Sequence, residues 1–148
     1  MIVIYNNIGK IIYTIENKYT FNGNNLAENQ NLLITDNKKI KTNTHYVKNN
    51  TPKLKKQLNL SVDSKRINAG SILELTLESE IADTEIKMKI NDIEFTVTIK
   101  NNQGSKEIEL QEPDIYQISC IDHRFINQPV TVEVVWWENT KAKKKAAS

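Results

Sequence analysis

The feature that most constrains this chain is a strict alternation of apolar and polar residues, sustained from residue 57 to residue 137. Leu58, Leu60 and Val62 open it, followed by Leu73, Leu75 and Leu77, then Ile86, Met88 and Ile90. Ile93, Phe95, Val97 and Ile99 come next, then Ile108 and Leu110, then Tyr116, Ile118 and Cys120, and last Val130, Val132, Val134 and Trp136. A period of two places the named residues of each run on one side of an extended strand. Between the runs stand Asn68-Ala69-Gly70-Ser71, Asn91-Asp92, Asn101-Asn102-Gln103-Gly104 and Glu112-Pro113-Asp114, residue types that tolerate turn conformations. Seven short strands, each with one apolar face, are satisfied when two sheets pack face to face and bury those faces together.

Seven strands in about 80 residues predict an all-β chain built on an immunoglobulin-like β-sandwich. Glu112-Pro113-Asp114-Ile115-Tyr116-x-Ile118 resembles the tyrosine corner of that fold, with Ile118 at the buried position two residues on. The cysteine usual at that position in antibody domains is absent, and so is the strand-C tryptophan. The pattern therefore resembles the bacterial and phage Ig-like class.

The stretch before the alternation reads as a small N-terminal β-hairpin module. Ile2-Val3-Ile4-Tyr5 and Ile11-Ile12-Tyr13-Thr14-Ile15 are the two strands, joined by Asn6-Asn7-Ile8-Gly9-Lys10. Residues 16–31 are polar and loop-like, with a helical turn expected at Leu26-Ala27-Glu28. Leu32–Thr35 and His45–Val47 read as further short strands. With so few apolar residues, this module is expected to lean on the body or on a partner.

Charge divides the chain at the same place. Residues 1–56 hold nine lysines against three acids, and residues 57–138 hold seven bases against fifteen acids. Lys141, Lys143, Lys144 and Lys145 add a basic tail over 139–148. The expected organisation is thus a docking module at 1–56, a sandwich at 57–138 and a basic tail, with opposite-sign surfaces able to pair between copies.

Candidate chemistry is sparse. At 39% hydrophobic and 26% charged, the composition is that of an ordinary globular chain, and no apolar run is long enough to span a bilayer. The first residues lack a signal-peptide pattern, so no secretion is expected. A single cysteine, Cys120, excludes an internal disulfide and a cysteine-based zinc site, and its phase makes it a buried core thiol. Asp122-His123-Arg124 juxtaposes acid, imidazole and base, but neighbouring side chains on extended backbone diverge and no nucleophile stands at a fitting position. His45 has no ligand partner at metal spacing. Glu74, Glu78, Glu80, Asp83, Glu85, Asp92 and Glu94 alternate with apolar residues and mark the solvent faces of strands. No enzyme activity and no cofactor are expected. Of the two adjacent tryptophans, Trp136 shares the phase of Val134 and is placed in the core, leaving Trp137 outward as an anchor for a partner or a saccharide. The lysine tail lacks the arginine and stacking aromatics of a nucleic-acid binder.

The opening Met1-Ile2-Val3-Ile4-Tyr5 with Gly9-Lys10-Ile11 and Thr14-Ile15, the segment His45-Tyr46-Val47 with Pro52-x-Leu54, and the ending Pro113-x-x-Tyr116-x-Ile118, Arg124-Phe125 and Val130-x-Val132-x-Val134 carry a resemblance. Together they resemble small tail-associated virion proteins of tailed bacteriophages. The sequence departs from that pattern by placing Asp114-Ile115 where a glycine usually precedes the tyrosine, and by its lysine-rich tail. The resemblance implies a non-enzymatic virion structural protein of the tail or tail-fibre junction, made in the host cytoplasm and resident in the virion. Its partners would be other virion proteins and copies of itself. The docking residues expected are Ile2, Ile4, Tyr5, Tyr46, Trp137, Lys141, Lys143, Lys144 and Lys145. A capsid decoration protein and a host-surface glycan-binding adhesin are the alternatives.

Overall fold

Fourteen strands and no helix make up the described residues, 1–16 and 26–136, of the computed structural model. They are β1 (Ile2–Asn6), β2 (Ile11–Ile15), β3 (Gln30–Ile34), β4 (His45–Lys48), β5 (Thr51–Leu54), β6 (Lys56–Val62) and β7 (Arg66–Asn68). There follow β8 (Ile72–Ser79), β9 (Thr84–Ile90), β10 (Ile93–Ile99), β11 (Gln103–Glu109), β12 (Asp114–Cys120), β13 (Phe125–Asn127) and β14 (Val130–Val135). The chain divides into two units: Met1–Lys56 with His123–Ile126, and Gln57–Asp122 with the chain from Asn127 on.

In the first unit β1 is the middle strand of the antiparallel sheet β2-β1-β3. The β1–β2 turn is tied by the Asn6 side chain, whose Oδ1 accepts from the Ile8 and Lys10 amides at 3.1 and 2.9 Å. Gly9 closes it at φ +92°, a left-handed conformation that disfavours any side chain. A Cβ there would also strike the Val47 carbonyl oxygen, and the Val47 amide donates to the Gly9 carbonyl at 2.8 Å. That approach seats β4 against the turn. Strands β4 and β5 form a hairpin whose two turn residues, Asn49 and Asn50, both have positive φ, the geometry that matches strand twist in a two-residue loop. Pro52 lies in β5, a strand with one pairing partner, where a missing amide is tolerated.

This unit has a core of its own. Val3, Ile11, Ile40 and Val47 are buried together, with Met1, Tyr5 and Leu33 packed on them. Ile40 and the buried β4 add to the hairpin in this core. The expected helical turn is corrected. Ala27–Gln30 is a tight turn closed by the Gln30 amide on the Ala27 carbonyl at 3.1 Å, with Asn29 at φ +65°.

The second unit contains the sheet β10-β9-β12-β14-β7 and the strands β11-β8-β6 of another sheet. All pairs are antiparallel except β14 with β7. The seven alternating runs all become strands, and burial follows their phase along most of their length, while Ile93 at the start of β10 is 69% exposed. Leu73, Leu75 and Leu77 are buried on β8, as are Ile86, Met88 and Ile90 on β9, Val97 and Ile99 on β10, and Val132 and Val134 on β14. Each sheet thus buries one face, consistent with a β-sandwich. At the corner where the chain passes from β10 to β11 the backbones approach closely. A Cβ on Gly104 would lie 2.5 Å from the Thr98 carbonyl oxygen and 2.7 Å from Ile99 Cδ1.

Trp136 and Cys120 are corrected as well. Trp136 follows the end of β14 and is 71% exposed, because the strand stops at Val135 and its phase no longer directs the next side chain. Cys120 is half-buried at the end of β12. Its amide donates to Asn127 Oδ1 at 3.2 Å, and its sulfur accepts the Asp122 amide at 3.3 Å, so the thiol serves the turn.

Candidate docking surface

The ends of β7, β11 and β14 and the starts of β8 and β12 meet at one end of the second unit. Hydrogen bonds fasten it. The Ala69 amide donates to the Val135 carbonyl and the Gly70 amide to the Leu110 carbonyl, both at 2.7 Å. The Tyr116 hydroxyl donates to the Glu112 carbonyl at 2.8 Å, which ties the β11–β12 connection to β12. Burial, and then the carboxylates of Asp114 and Glu112, push the Tyr116 phenol up, so it keeps the proton it donates.

On this fixed frame stand large apolar side chains in water. Ile115 is 63% exposed, and Ile72 and Trp136 are exposed too. Ile115 has the opposite phase to Tyr116 and Ile118, so it projects from the outer face of its sheet, directly across from Glu133. Val135, two residues from Glu133 and on the same face, is half-buried. Ile115 stands on the outer face of one sheet and Ile72 on that of the other, and an exposed tryptophan just past β14 has the character of an interface anchor.

The surroundings are acidic. Residues 69–72, 109–116 and 133–136 hold Glu109, Glu112, Asp114 and Glu133, all exposed, and no lysine or arginine. The nearest base in register is Arg66, opposite Glu133 on β7. On the outer face of β8 and β11, Glu74 stands directly across from Glu107, and Ile72 across from Glu109. Like charges paired across strands raise the energy of the free surface. The other sheet alternates sign on its outer face, with Glu94 across from Lys89.

The residues expected to dock fall elsewhere. Ile2 and Ile4 are 2% and 0% exposed, because β1 is a central strand with buried side chains on both faces; they build the core and offer no docking face. Tyr46 is buried too, its ring edge-to-face with His123 at 5.6 Å. Tyr5 is half-buried and its hydroxyl donates to Asn50 Oδ1 at 2.7 Å. Trp137, Lys141, Lys143, Lys144 and Lys145 lie outside the described residues. Trp136 and Ile115 were missed for different reasons. Ile115 was legible from its phase, whereas Trp136 needed the strand's end to be known.

An open hollow of about 340 Å³ lies at the β8–β9 and β10–β11 loops, lined by Gln57, Asn59, Glu80 and Asn102 among others. Several of its polar groups already hold the loops. Glu80 Oε1 accepts the Gln57 amide and Asn102 Nδ2 donates to the Ser79 carbonyl, both at 2.9 Å. No group of three or more His, Cys, Asp or Glu side chains among the described residues is arranged to hold a metal ion.

No protein-family model matches this sequence, and no curated protein matches it.

Proposed function

We propose that this chain is a non-enzymatic structural protein of a tailed-phage virion, at the tail or the tail-fibre junction, and that its second unit is an immunoglobulin-like body presenting a docking end. The observation that carries the docking reading is the exposed Trp136 and Ile115 on a hydrogen-bonded, acid-rimmed frame. Burying two such side chains in a partner removes apolar area worth about 1.5–3 kcal/mol each. The immunoglobulin-like reading is supported by the orders β10-β9-β12-β14-β7 and β11-β8-β6, and by Tyr116 bonded four residues back to Glu112. The virion assignment rests on the sequence resemblance.

Quantitative mass spectrometry of purified particles, referenced to the major capsid protein, tests it. A few to a few dozen copies per particle is expected for a tail component. A ratio near that of the capsid protein would make it a head decoration, and absence from particles would overturn the virion reading. The exposure of Trp136 favours one second reading, a host-surface glycan-binding module, since an exposed indole stacks on sugar rings. Binding of the purified protein to host cells, lost in Trp136→Ala, would support that reading instead.

A further inference from the structure

Strand β10 ends the sheet β10-β9-β12-β14-β7 and has one pairing partner, β9. Which of its backbone groups face outward follows from β9. The Asn91 amide donates to the Gln117 carbonyl and the Ile121 amide to the Lys87 carbonyl. Lys87 and Asn91 thus turn their backbone toward β12, and Met88 and Ile90, of opposite parity, turn theirs toward β10. Their partners there are Phe95 and Ile93. The N–H and C=O groups of Glu94 and Thr96 therefore point away from the sheet, and both residues are exposed. Among the described residues no strand pairs along this edge; the Lys100–Gln103 bridge lies past its end.

An edge of this kind normally carries a device against pairing with another chain. Strand β7 is only three residues long. Strand β11 carries Gly104 and, across from the buried Leu75 and so on the inner side, the exposed Lys106. Strand β10 has none of these. Its seven residues hold an unbroken register with β9 and include no lysine, proline or glycine. Its inner-phase side chains also become more exposed toward its start. Ile99 and Val97 are each 1% exposed, Phe95 is half-buried and Ile93 is 69% exposed. Free backbone groups thus stand beside uncovered apolar side chains.

We infer that two copies of this chain pair antiparallel through β10, joining their five-stranded sheets into one across a two-fold axis at Phe95. A second copy is the occupant because the strand complements itself in one register. Centring the pair on Glu94 would set like charges directly opposite. Centring it on Thr96 would call on Thr98, whose carbonyl oxygen is already approached by β11 at Gly104. Centred on Phe95, Glu94 faces Thr96 of the second copy and exchanges both backbone hydrogen bonds with it, twice over by symmetry. Ile93 meets Val97, and the two Phe95 rings meet at the axis. Glu94 keeps Lys89 across from it on β9. The contact is isologous, so association closes at the dimer. This goes beyond the docking reading. Strand β10 lies three positions from β14 in the sheet, and the dimer presents two Trp136 ends for bivalent docking.

Sedimentation of the full-length protein over a concentration series tests this. A monomer–dimer equilibrium with no larger species is expected. Thr96→Pro removes an outward amide, a change an edge strand tolerates, and should weaken dimerisation roughly tenfold or more with an unchanged circular dichroism spectrum. Ile93→Lys gives β10 the inner-phase lysine that β11 has; it should weaken the dimer similarly and serves if the proline disturbs folding. Phe95→Cys should yield a disulfide-linked dimer on mild oxidation, because a non-hydrogen-bonded pair holds its Cα atoms about 4.5 Å apart. Thr96→Cys should not, and wild-type protein, with Cys120 alone, is the control. A wild-type protein that is monomeric throughout, a dimer that survives both Thr96→Pro and Ile93→Lys, or cross-linking in Thr96→Cys but not in Phe95→Cys would each overturn this pairing. A dimer lost in Trp136→Ala and kept in Ile93→Lys would assign the association to the Trp136 end, overturning this inference while leaving the docking reading intact.

Discussion

His45 shows how a single residue is set by what surrounds it. It begins β4, is buried, and its Nδ1 accepts the Lys41 amide at 3.3 Å and lies 2.7 Å from Thr44 Oγ1. A nitrogen that accepts carries no proton, so this arrangement holds the neutral ring. Burial, too, disfavours the imidazolium and lowers the His45 pKa below the ordinary 6.5. The unfolded chain then binds a proton near pH 6.5 that the folded chain does not. Stability from this group is complete above 6.5, falls as pH drops through 6.5 toward the folded-state pKa, and is level below it. Urea midpoints at pH 7.5 and 5.5 should therefore differ, with the lower at pH 5.5. His45→Asn, whose side-chain oxygen can accept the same amide, should remove that part of the difference. An unchanged pH dependence in the variant would show that other groups cause it. Cys120 illustrates the converse: phase directs it inward, yet the turn to Asp122 claims its sulfur and leaves it half-buried.

At the scale of elements, strand identity was carried by alternation, and the seven runs of the second unit needed no tertiary help to be recognised. The strands that were missed, β5, β7 and β13, are short, and β7 and β13 have three residues each. Three residues hold too little alternation to read, and these segments are extended because a neighbour supplies hydrogen bonds: β7 lies parallel to β14, and β5 pairs back on β4. Elements also meet where no pattern announces it. Gly104 on β11 faces the Thr98 carbonyl and the side chains of Ile99 and Val97 on β10. Its substitution by alanine should force the two strands apart and destabilise the protein by about 1–3 kcal/mol, the usual effect of overpacking. Chemical denaturation followed by tryptophan fluorescence reads this, since both tryptophans follow β14 in sequence. A midpoint equal to wild type would mean that the corner relaxes without strain.

For the whole molecule, charge segregation is the property with the widest consequence. A base-only stretch at 37–56 and an acid-only end at Glu109–Asp114 belong to one chain of net charge +2, so opposite surfaces persist while the total stays small. Surface charge contributes little to stability, and its value here lies in steering and registering partners. The full-length Lys53→Glu/Lys56→Glu variant is accordingly expected to keep its fold and to lose roughly tenfold or more of its copies per particle. Mass spectrometry of particles assembled on the variant checks this. Wild-type occupancy would show that these lysines take no part in incorporation.

By itself the sequence determined the fold class, the register of apolar faces in the second unit, the β1–β2 hairpin and the segregation of charge. These follow from local periodicity, turn chemistry and composition, which need no distant contact. Tertiary structure decided which apolar residues are available to a partner. Ile2 and Ile4 look like ideal edge-strand residues, yet β3 pairs with β1 from nearly thirty residues away and makes β1 central. Trp136 looks like core, yet β14 ends one residue before it. Exposure depends on which strands become neighbours and where pairing stops. Long-range hydrogen bonding settles both, and no local pattern encodes them.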